Sequence, residues 1–573
     1  MSTISKRKRA RKACNPCHQR KRRCDNQYPC GMCTTYDYSC RYDDDATGTV
    51  GDSVDDPPHA KRISVDGRSR LANRPHVEQG HREAKANSSS TKSPATVTST
   101  PPGLFDEQKF RYTGASAAMA FPHVLGVNLG GDSPPRLRSC AYNFGNRPDE
   151  ASNPHSFLGD LISEQDLSHY AGVYFTVMNP IGDILDPRLF ADRCHQYYDG
   201  GYSTDITFAA VAAGVACLGS FLSSDRHPRE TDLVLYAKAI LDDPASMRTL
   251  NIDHIIAWDM RAFYLRATSR PKIAWIASCT VMHLCETVGL HDEASIKKIA
   301  SKAGAAALGL DADRLRRIFW ASWAAHNMLS YEQDCSAVHF RSVTCQSFIP
   351  TPGSVADQFV RLVQCTPAPN SPFRLYSEPA DLNEELFERL RAVTELKVTH
   401  PFLVVTAADI AFCFYRRLYQ AQALPSAEFI SLIIDCGNAG LKAAEQLANE
   451  GHLFWNVLGS VFQYACVLLA IDSPIASAHL GTVFKRLENL VKAADTTLTR
   501  EALSIARHLL SLKTAKKRKE LAELEAVEAG FQSGLTPPEP EANASMPDIS
   551  WELYWDQFFL EPYLPMFSGE IQL

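Results

Sequence analysis

Hydrophobic residues between positions 161 and 512 recur at the three- and four-residue spacing of amphipathic helices, and the alternation typical of strands is sparse. The pattern predicts an all-α domain. The predicted helical runs cover residues 206–222, 273–288, 314–329, 386–398, 404–420, 429–448 and 487–512. The longest apolar run, 457–471, contains Ser460 and Gln463, and it falls short of the roughly 20 residues that span a bilayer. It indicates a buried helix, and we expect no membrane partner.

Residues 43–104 interrupt this pattern, because Asp, Ser, Thr, Gly and Pro replace nearly all large hydrophobic side chains. Such a composition buries too little apolar surface to offset the entropy that is lost on folding. We therefore expect a disordered linker between a small N-terminal domain and a helical domain that begins near residue 105.

Six cysteines precede this linker with the spacing C-x2-C-x6-C-x5-C-x2-C-x6-C: Cys14, Cys17, Cys24, Cys30, Cys33 and Cys40. A structural zinc ion takes four tetrahedral ligands, so two zinc ions need eight metal–sulfur contacts. Six thiolates meet that demand only if two of the sulfurs bridge both metals. The pattern therefore predicts two Zn²⁺ ions as cofactors.

Two other uses of clustered cysteines suit the chain less well. A disulfide framework is typical of small secreted domains, but the N-terminus is basic and shows no apolar signal segment. An iron–sulfur cluster would give no role to the basic run 20–23 between the second and third cysteines. Eleven further cysteines, from Cys140 to Cys466, form no C-x2-C pair, and we expect them to be reduced, buried thiols.

Charge is distributed unevenly along the chain. Residues 1–41 contain eleven Lys or Arg and two Asp, a formal excess of nine positive charges, whereas the whole chain carries −6. Two zinc ions bound by six thiolates would leave this head at roughly +7. A basic head favours a polyanion partner, and phosphate contacts with counterion release would make its binding strongly salt-dependent.

The six cysteines and the basic run together resemble the DNA-binding domain of fungal binuclear zinc cluster transcription factors. The resemblance implies a partner, double-stranded DNA, read in the major groove at a CGG-type triplet. It also implies a division of the ligands. In that division Cys14 and Cys30 bridge the two zincs, and each metal shell is completed by one further pair, namely Cys17 with Cys24 and Cys33 with Cys40.

The resemblance assigns base reading to Arg20 and Lys21, which stand three and four positions after the second cysteine. Both side chains can donate to guanine O6 and N7, and one bidentate pair contributes about 1–3 kcal/mol of discrimination. Four neighbours could contact phosphate or remain solvated: His18, Gln19, Arg22 and Arg23.

A second resemblance, over some 250 positions, is to the fungal-specific transcription factor middle domain. Its landmarks are, in order, Ala274-Trp275, Gly289-Leu290-His291, Arg316-Arg317-Ile318-Phe319-Trp320 and Ile349-Pro350. Where the family tends to place Asp-Arg, this chain has His326-Asn327. The resemblance implies an all-α regulatory domain that takes part in small-molecule sensing. We expect Trp275, Phe319 and Trp320 to be core residues, because they lie on apolar helical faces.

Dimeric members of the cluster family usually carry a heptad-patterned helix directly after the cluster. Residues 43–104 contain no such repeat. Monomeric DNA binding and a homodimer through the middle domain therefore both stay open.

Residues 531–573 combine acidic and aromatic side chains and contain no Lys, Arg or His. Five aromatic residues would share one face if this segment were helical: Trp551, Tyr554, Trp555, Phe558 and Phe559. Such a face can fold into the apolar groove of a coactivator, which would make the segment an activation domain. It can also dock on the middle domain, since exposed aromatic patches promote association. Both interpretations stay open.

No catalytic constellation emerges from the sequence. His283 and Glu286 have helical spacing but no third metal ligand, and no nucleophile elbow or glycine-rich phosphate loop is present. We therefore expect a nuclear DNA-binding transcription factor that acts as a pathway-specific activator. A repressor is the alternative, and a zinc-containing enzyme is a remote one. The basic clusters 6–12 and 516–519 are candidate import signals.

The sequence thus predicts six segments. They are a basic arm at 1–13, the zinc cluster at 14–42, the linker at 43–104, the all-α regulatory domain at 105–512, a charged helix at 513–530 and the acidic, aromatic segment at 531–573.

Overall fold

A computed structural model gives the structure of the chain. It describes residues 13–15, 17, 24–25, 27–28, 30, 33–34, 40–41, 104–106, 111–114, 117, 120–129, 156–200, 206–244, 246–248, 250–376 and 378–533. The chain divides into two compact units, Met1–Thr96 and Val97–Leu573. The predicted linker lies outside the described residues except for Leu104, which belongs to the first strand.

The described part of the second unit consists of seventeen α-helices and one two-stranded sheet. The helices are α1 (Phe121–Asn128), α2 (Glu164–Val177), α3 (Asn179–Gly182), α4 (Pro187–Asp199), α5 (Ile206–Leu222), α6 (Glu230–Leu241), α7 (Ile252–Thr268), α8 (Pro271–Val288), α9 (Glu293–Ala300), α10 (Ala312–Glu332), α11 (Ala356–Gln364), α12 (Leu382–Glu395), α13 (Pro401–Gln420), α14 (Ala427–Asn449), α15 (Trp455–Ala470), α16 (Pro474–Ala493) and α17 (Thr497–Ser533). The mostly α fold that the hydrophobic pattern predicts is confirmed.

Local signals explain where many of these helices begin. A short polar side chain accepts a hydrogen bond from a backbone N–H of the first turn, which would otherwise lack a partner. The residues in this role are Ser163, Asp186, Asn251, Asp292, Asp311, Asp381, Ser426 and Ser473. Proline occupies the first position of α4, α8, α13 and α16, where its missing N–H costs nothing.

Helix α5 is apolar on all sides and lies at the centre of the first group of helices. Thirteen of its residues are buried, and it packs against α2, α6 and α7. Gly219 allows α2 to approach closely, because a Cβ at this position would lie 1.9 Å from the carbonyl oxygen of Tyr170. The absence of a side chain at position 219 therefore determines how closely α2 and α5 can cross.

The remaining helices extend the same hydrophobic core. Helix α7 packs on α8, and α10 packs on α8, α9 and α11. Helix α13 contacts α14 and α15, and α15 in turn contacts α16 and α17. One cluster of buried residues runs through all of these contacts, so the described part of the second unit has a single core.

Helix α15 is the buried helix that the apolar run 457–471 predicts, and its buried side chains include Val457, Val461 and Leu468. Among the described helices, none is long and apolar enough by itself to cross a membrane. Helices α8 and α9 meet that length and composition only when they are counted together, and the chain bends by 74° between them.

Residues 487–512 belong to two helices, so the prediction of one run here is wrong. Helix α16 ends at Ala493, and α17 begins at Thr497 and continues past residue 512 without a break. Thr496 and Thr499 cause the restart. The backbone N–H of each donates to the Oγ1 of the other, at 3.1 and 3.2 Å, which caps a new first turn. The other predicted runs match helices of the structure to within four residues.

One small sheet was not predicted. Strands β1 (Leu104–Asp106) and β2 (Arg111–Thr113) pair antiparallel, with Phe105 opposite Tyr112. Phe105 is buried in the core, and the Tyr112 ring meets the His291 ring edge-on at 4.6 Å. Three-residue strands are too short to produce a readable alternation, so the sequence pattern could not reveal them.

Candidate functional site

The first unit is organised around six buried sulfur atoms. None of the six cysteines is more than 6% exposed. The Sγ–Sγ distance is 3.6 Å for Cys14 and Cys30, 3.5 Å for Cys14 and Cys33, and 3.6 Å for Cys17 and Cys30. Bonded sulfurs lie about 2.05 Å apart. All six thiols are free, and a disulfide framework is excluded.

The sulfurs form two groups of four, and within each group all lie within 4.8 Å of one another. One group is Cys14, Cys17, Cys24 and Cys30, and the other is Cys14, Cys30, Cys33 and Cys40. A tetrahedron with Zn–S bonds of about 2.3 Å has sulfur–sulfur edges of about 3.8 Å, close to the separations observed. The six thiols therefore fit two zinc ions that share two sulfurs, the same division that the family resemblance implies.

Backbone groups support these sulfurs. The N–H of Cys33 donates to Cys30 Sγ, and the N–H of Cys30 donates to Cys40 Sγ, both at 3.3 Å. The N–H of Asn15 donates to the carbonyl of Arg41 at 2.8 Å and joins the two ends of the cluster. Of the described residues, Ala13 alone adds a hydrophobic side chain to the cluster. Metal–ligand bonds would therefore stabilise this unit in place of a hydrophobic core.

Protons must leave the thiols when metal binds. Burial raises the pKa of Cys14, Cys17 and Cys33. Burial acts in the same direction on Cys30, but the N–H of Cys33 and the neighbouring thiols outweigh it and lower the pKa of Cys30 to about 6. Burial and hydrogen bonding thus act in opposite directions on the pKa of Cys30.

The predicted DNA-contacting residues, His18 to Arg23, lie outside the described residues, and their roles stay predictions. The structure does describe the two cysteines on either side of them. Cys17 and Cys24 flank this run, and both sulfurs belong to the same group of four. A zinc ion bound by this group would therefore hold both ends of the segment 18–23. The five aromatic residues predicted for the activation segment, from Trp551 to Phe559, also lie outside the described residues.

The middle-domain landmarks lie where α8, α9 and α10 meet. Gly289 ends α8 with a φ of 88°, and the N–H of Leu290 returns to the carbonyl of Cys285 at 2.9 Å. In α10, Arg316 donates two hydrogen bonds to Glu293 of α9, one of them from Nε at 3.1 Å. The Arg316 guanidinium lowers the pKa of the Glu293 carboxyl. These landmarks join three helices into one structural unit.

Two of the three predicted core aromatics are buried. Phe319 is fully enclosed, and Trp320 donates from its indole N–H to the carbonyl of Gln346 at 2.9 Å. Trp275 is only partly buried, and its indole N–H donates to the carbonyl of Ser336 at 3.2 Å. The apolar spacing of α8 identified the face that carries Trp275. It could not show that this side chain lies near the surface of the domain.

His326 stands where the family pattern tends to be charged, and it is fully buried. The N–H of Val338 donates to its Nε2 at 2.9 Å, so the ring proton sits on Nδ1, 2.9 Å from the hydroxyl of Ser278. Ser278 in turn donates to the carbonyl of Trp275 at 2.8 Å. Burial lowers the pKa of His326 to about 4. The departure from the family pattern thus builds a neutral hydrogen-bonded chain between α8 and α10.

No second metal centre is formed by the part of the chain that the structure describes. Outside the cluster, no three His, Cys, Asp or Glu side chains there come close enough to share one ion. His283 faces Glu286 at 4.0 Å on an exposed surface. The described cysteines outside the cluster are free, and most are buried. Cys140 lies outside the described residues.

Comparison with protein families gives two matches. Residues 12–48 match the fungal Zn(2)-Cys(6) binuclear cluster domain, and residues 171–330 match the fungal specific transcription factor domain. The first match contains all six cysteines. The second contains the latter half of α2, α3 to α9 and most of α10, including the junction of α8, α9 and α10.

Relatives from several fungi cover most of the chain. Protein RDR1 of Saccharomyces cerevisiae is 38% identical over 524 residues, which cover 91% of this chain and 92% of the relative. Transcription factor kojR of Aspergillus oryzae is 28% identical over 581 residues, covering 99% and 96%. Probable transcriptional repressor C1348.12 of Schizosaccharomyces pombe is 22% identical over 466 residues, covering 77% and 92%. No solved structure matches the chain significantly.

Proposed function

The chain belongs to the fungal Zn(2)-Cys(6) transcription factors, and we propose that it acts as a pathway-specific activator at CGG-type DNA elements. As a member of this family it is a DNA-binding regulator of transcription that holds two zinc ions, and it is not an enzyme. The element, the direction of regulation, the partners and the cellular location are the proposed parts.

The observation that carries the proposal is the pair of sulfur groups that share Cys14 and Cys30. We assign the six cysteines as the zinc ligands on this geometry. The two metals neutralise thiolate charge in a unit with little hydrophobic core, so metal binding supplies the folding free energy. One of the two also holds both ends of the basic run, through Cys17 and Cys24.

Base reading is assigned to Arg20 and Lys21, which lie in that run. Their charge attracts the phosphate backbone, and their donors match the guanine O6 and N7 acceptors in the major groove. The other residues between Cys17 and Cys24, namely 18–19 and 22–23, would contact phosphates and position the protein without selecting a sequence. A CGG triplet offers two adjacent guanines for these two side chains.

Selection of bound sites from random DNA by the full-length, zinc-loaded protein tests the element. We expect enrichment of CGG triplets, with one triplet for monomeric binding and a pair at fixed spacing for a homodimer. A matched sample of the Cys30→Ser protein should enrich nothing. Enrichment of an unrelated sequence by the zinc-loaded protein would contradict the proposed element.

Activation is assigned to the acidic, aromatic segment 531–573, which would recruit a coactivator through its aromatic face. The name of the Schizosaccharomyces pombe relative, a probable transcriptional repressor, favours the alternative that this protein represses. Residues 531–573 fused to an unrelated DNA-binding domain separate the two. We expect reporter activation, and a reporter that stays silent would leave the repressor as the better proposal.

The proposed location is the nucleus, where the DNA target lies. Two basic clusters are candidates for import, residues 6–12 and residues 516–519 of α17. Loss of nuclear accumulation after neutral substitution of either cluster would identify the signal.

A further inference from the structure

Helix α17 extends well beyond the body of its domain. Its 37 residues reach about 55 Å, at about 1.5 Å per residue. Ala506 is the last residue in it that is buried. Lys513 Nζ donates to the carbonyls of Leu469 and Ile471, both at 2.9 Å, and Lys517 pairs with Asp472 at 2.8 Å. These contacts hold the middle of α17 against the end of α15 and the residues that follow it.

The projecting half of α17 carries an exposed apolar strip. Its members are Leu521, Leu524, Val527 and Phe531, which are 55%, 67%, 45% and 74% exposed. At 100° per residue they lie within one third of the helix circumference, in line with the buried Leu503 and Ala506 nearer the start of the helix. The strip therefore continues the docking face of α17 into solvent.

The area of the strip argues against a second copy of the chain as its occupant. A standard interface buries about 800 Å² on each partner, and four side chains at the end of one helix supply far less. A tethered occupant needs much less area, because a short linker gives an effective concentration in the millimolar range. The occupant that fits this strip is a segment of the same chain.

We propose that the strip formed by Leu521, Leu524, Val527 and Phe531 holds the chain's own aromatic segment, residues 551–559, folded back antiparallel to α17. The five aromatic side chains of that segment would share one face if it is helical. The apolar strip and the aromatic face would then shield each other from water. Because the aromatic face is the one assigned to the coactivator, docking would silence it. That consequence rests on the proposed function, whereas the docking does not.

Reach permits the fold-back. Residues 534–550 connect the end of α17 to the aromatic segment, and they are rich in Pro, Ala and Ser. A flexible chain of this length has an end-to-end distance of roughly 20–25 Å. The strip from Leu521 to Phe531 is about 15 Å long. The connection is therefore long enough to bring the segment alongside the strip.

The charges of the two segments favour the antiparallel arrangement. Residues 534–573 contain seven acidic residues and no basic residue. Five of the seven positions from 513 to 519 in α17 are Lys or Arg, and Lys516 and Lys519 are exposed. An antiparallel fold-back carries Glu561 and Glu570, which follow the aromatic segment, towards these cations. A parallel arrangement would carry them away.

Hydrogen exchange of the full-length, zinc-loaded protein, read by mass spectrometry, tests the docking without DNA or a reporter. We expect the amides of 551–559 to be protected in the unmodified protein. The double variant Leu524→Glu with Phe531→Glu should exchange there at least tenfold faster. The matched control is Leu512→Glu, a residue 53% exposed on another side of α17, and it should retain the protection.

Three results would overturn the proposal: no protection of 551–559 in the unmodified protein, protection that survives the strip variant, or equal loss in the Leu512→Glu control. Protection that grows with protein concentration would overturn it as well, because it would assign the strip to a second copy. A protein that fails to bind CGG elements but shows strip-dependent protection would separate this inference from the proposed function.

Discussion

The sulfur atoms of Cys14 and Cys30 lie 3.6 Å apart and are the two that belong to both groups of four. Each is the first cysteine of a C-x2-C pair, and sixteen positions separate them. A metal shell built on either pair therefore borrows a sulfur from the other pair. The two zinc sites cannot form independently.

Replacement of Cys30 by Ser should remove both zinc ions, because each shell loses a shared sulfur and Ser is a poor zinc ligand. Metal analysis of the purified full-length protein should give close to zero zinc in place of two ions per chain. The control is Cys335→Ser, a free, partly buried thiol outside the cluster, which should keep both ions. A Cys30→Ser protein that retained two zincs would contradict the shared-sulfur arrangement.

Arg20→Ala should reduce the preference for CGG by about 1–3 kcal/mol, since a bidentate contact to one guanine is lost. Binding to unrelated DNA should change little. Arg22→Ala is the comparison, because a lost phosphate contact weakens binding to every sequence equally and lowers the salt slope by about 1. Titrations with matched and scrambled duplexes at two salt concentrations distinguish the two. Equal effects of the two substitutions would argue against a base contact by Arg20.

Asp259→Asn should stabilise the helical domain increasingly as pH rises. Burial raises the pKa of Asp259 to about 7, although a hydrogen bond from Ser322 acts in the opposite direction. An unfolded carboxyl ionises near pH 4, whereas the folded one keeps its proton until about pH 7. The folded state therefore binds more protons in this window, and its stability falls as pH rises through it.

For Asp259→Asn the gain should be small near pH 4 and should level off above pH 7 at up to about 4 kcal/mol, the equivalent of three pKa units. Thermal unfolding of the two proteins from pH 5 to pH 8 measures it. The difference between the two proteins at each pH isolates the carboxyl, because Asn has nearly the same shape and does not titrate. A flat profile for Asp259→Asn would show that the carboxyl is ionised in the folded state.

Gly219→Ala should destabilise the domain by at least about 2 kcal/mol, because the new methyl group meets the backbone of α2 and cannot be avoided by a side-chain rotation. Gly459→Ala in α15 is the matched control. No atom lies within 4 Å of a Cβ at that position, so the gain in helix propensity should stabilise by about 0.5–1 kcal/mol. Chemical denaturation of both variants gives the comparison. Equal stability of the two would mean that α2 and α5 can move apart freely.

The parts of the fold that follow from the sequence are those that local patterns specify. The apolar run 206–222 is α5 to the residue, because a helix buried on all sides needs only composition and length. The break between α16 and α17 was missed, since Thr496 and Thr499 cap a helix start inside a run that keeps its helical spacing. The β1–β2 pair packs against His291, far along the chain, and no local pattern contains that contact.

The metal site could be predicted from the sequence for a different reason. Six thiols at fixed spacing leave few ways to satisfy two tetrahedral ions, so chemistry restricts the geometry before folding is considered. The buried carboxyl of Asp259 could not be found in this way. In the sequence it is one polar residue within an amphipathic helix, and only the crossing of α7 with its neighbours shows that it faces inward.

Cys17 and Cys24 belong to one group of four, so a zinc ion bound there would close residues 18–23 into a short ring. An open chain of six residues would lose its conformational freedom on the DNA, at a cost of about 1–2 kcal/mol per residue. If residues 18–23 contact DNA as proposed, zinc capture would remove part of that freedom beforehand, so zinc would lower the cost of ordering these residues on DNA.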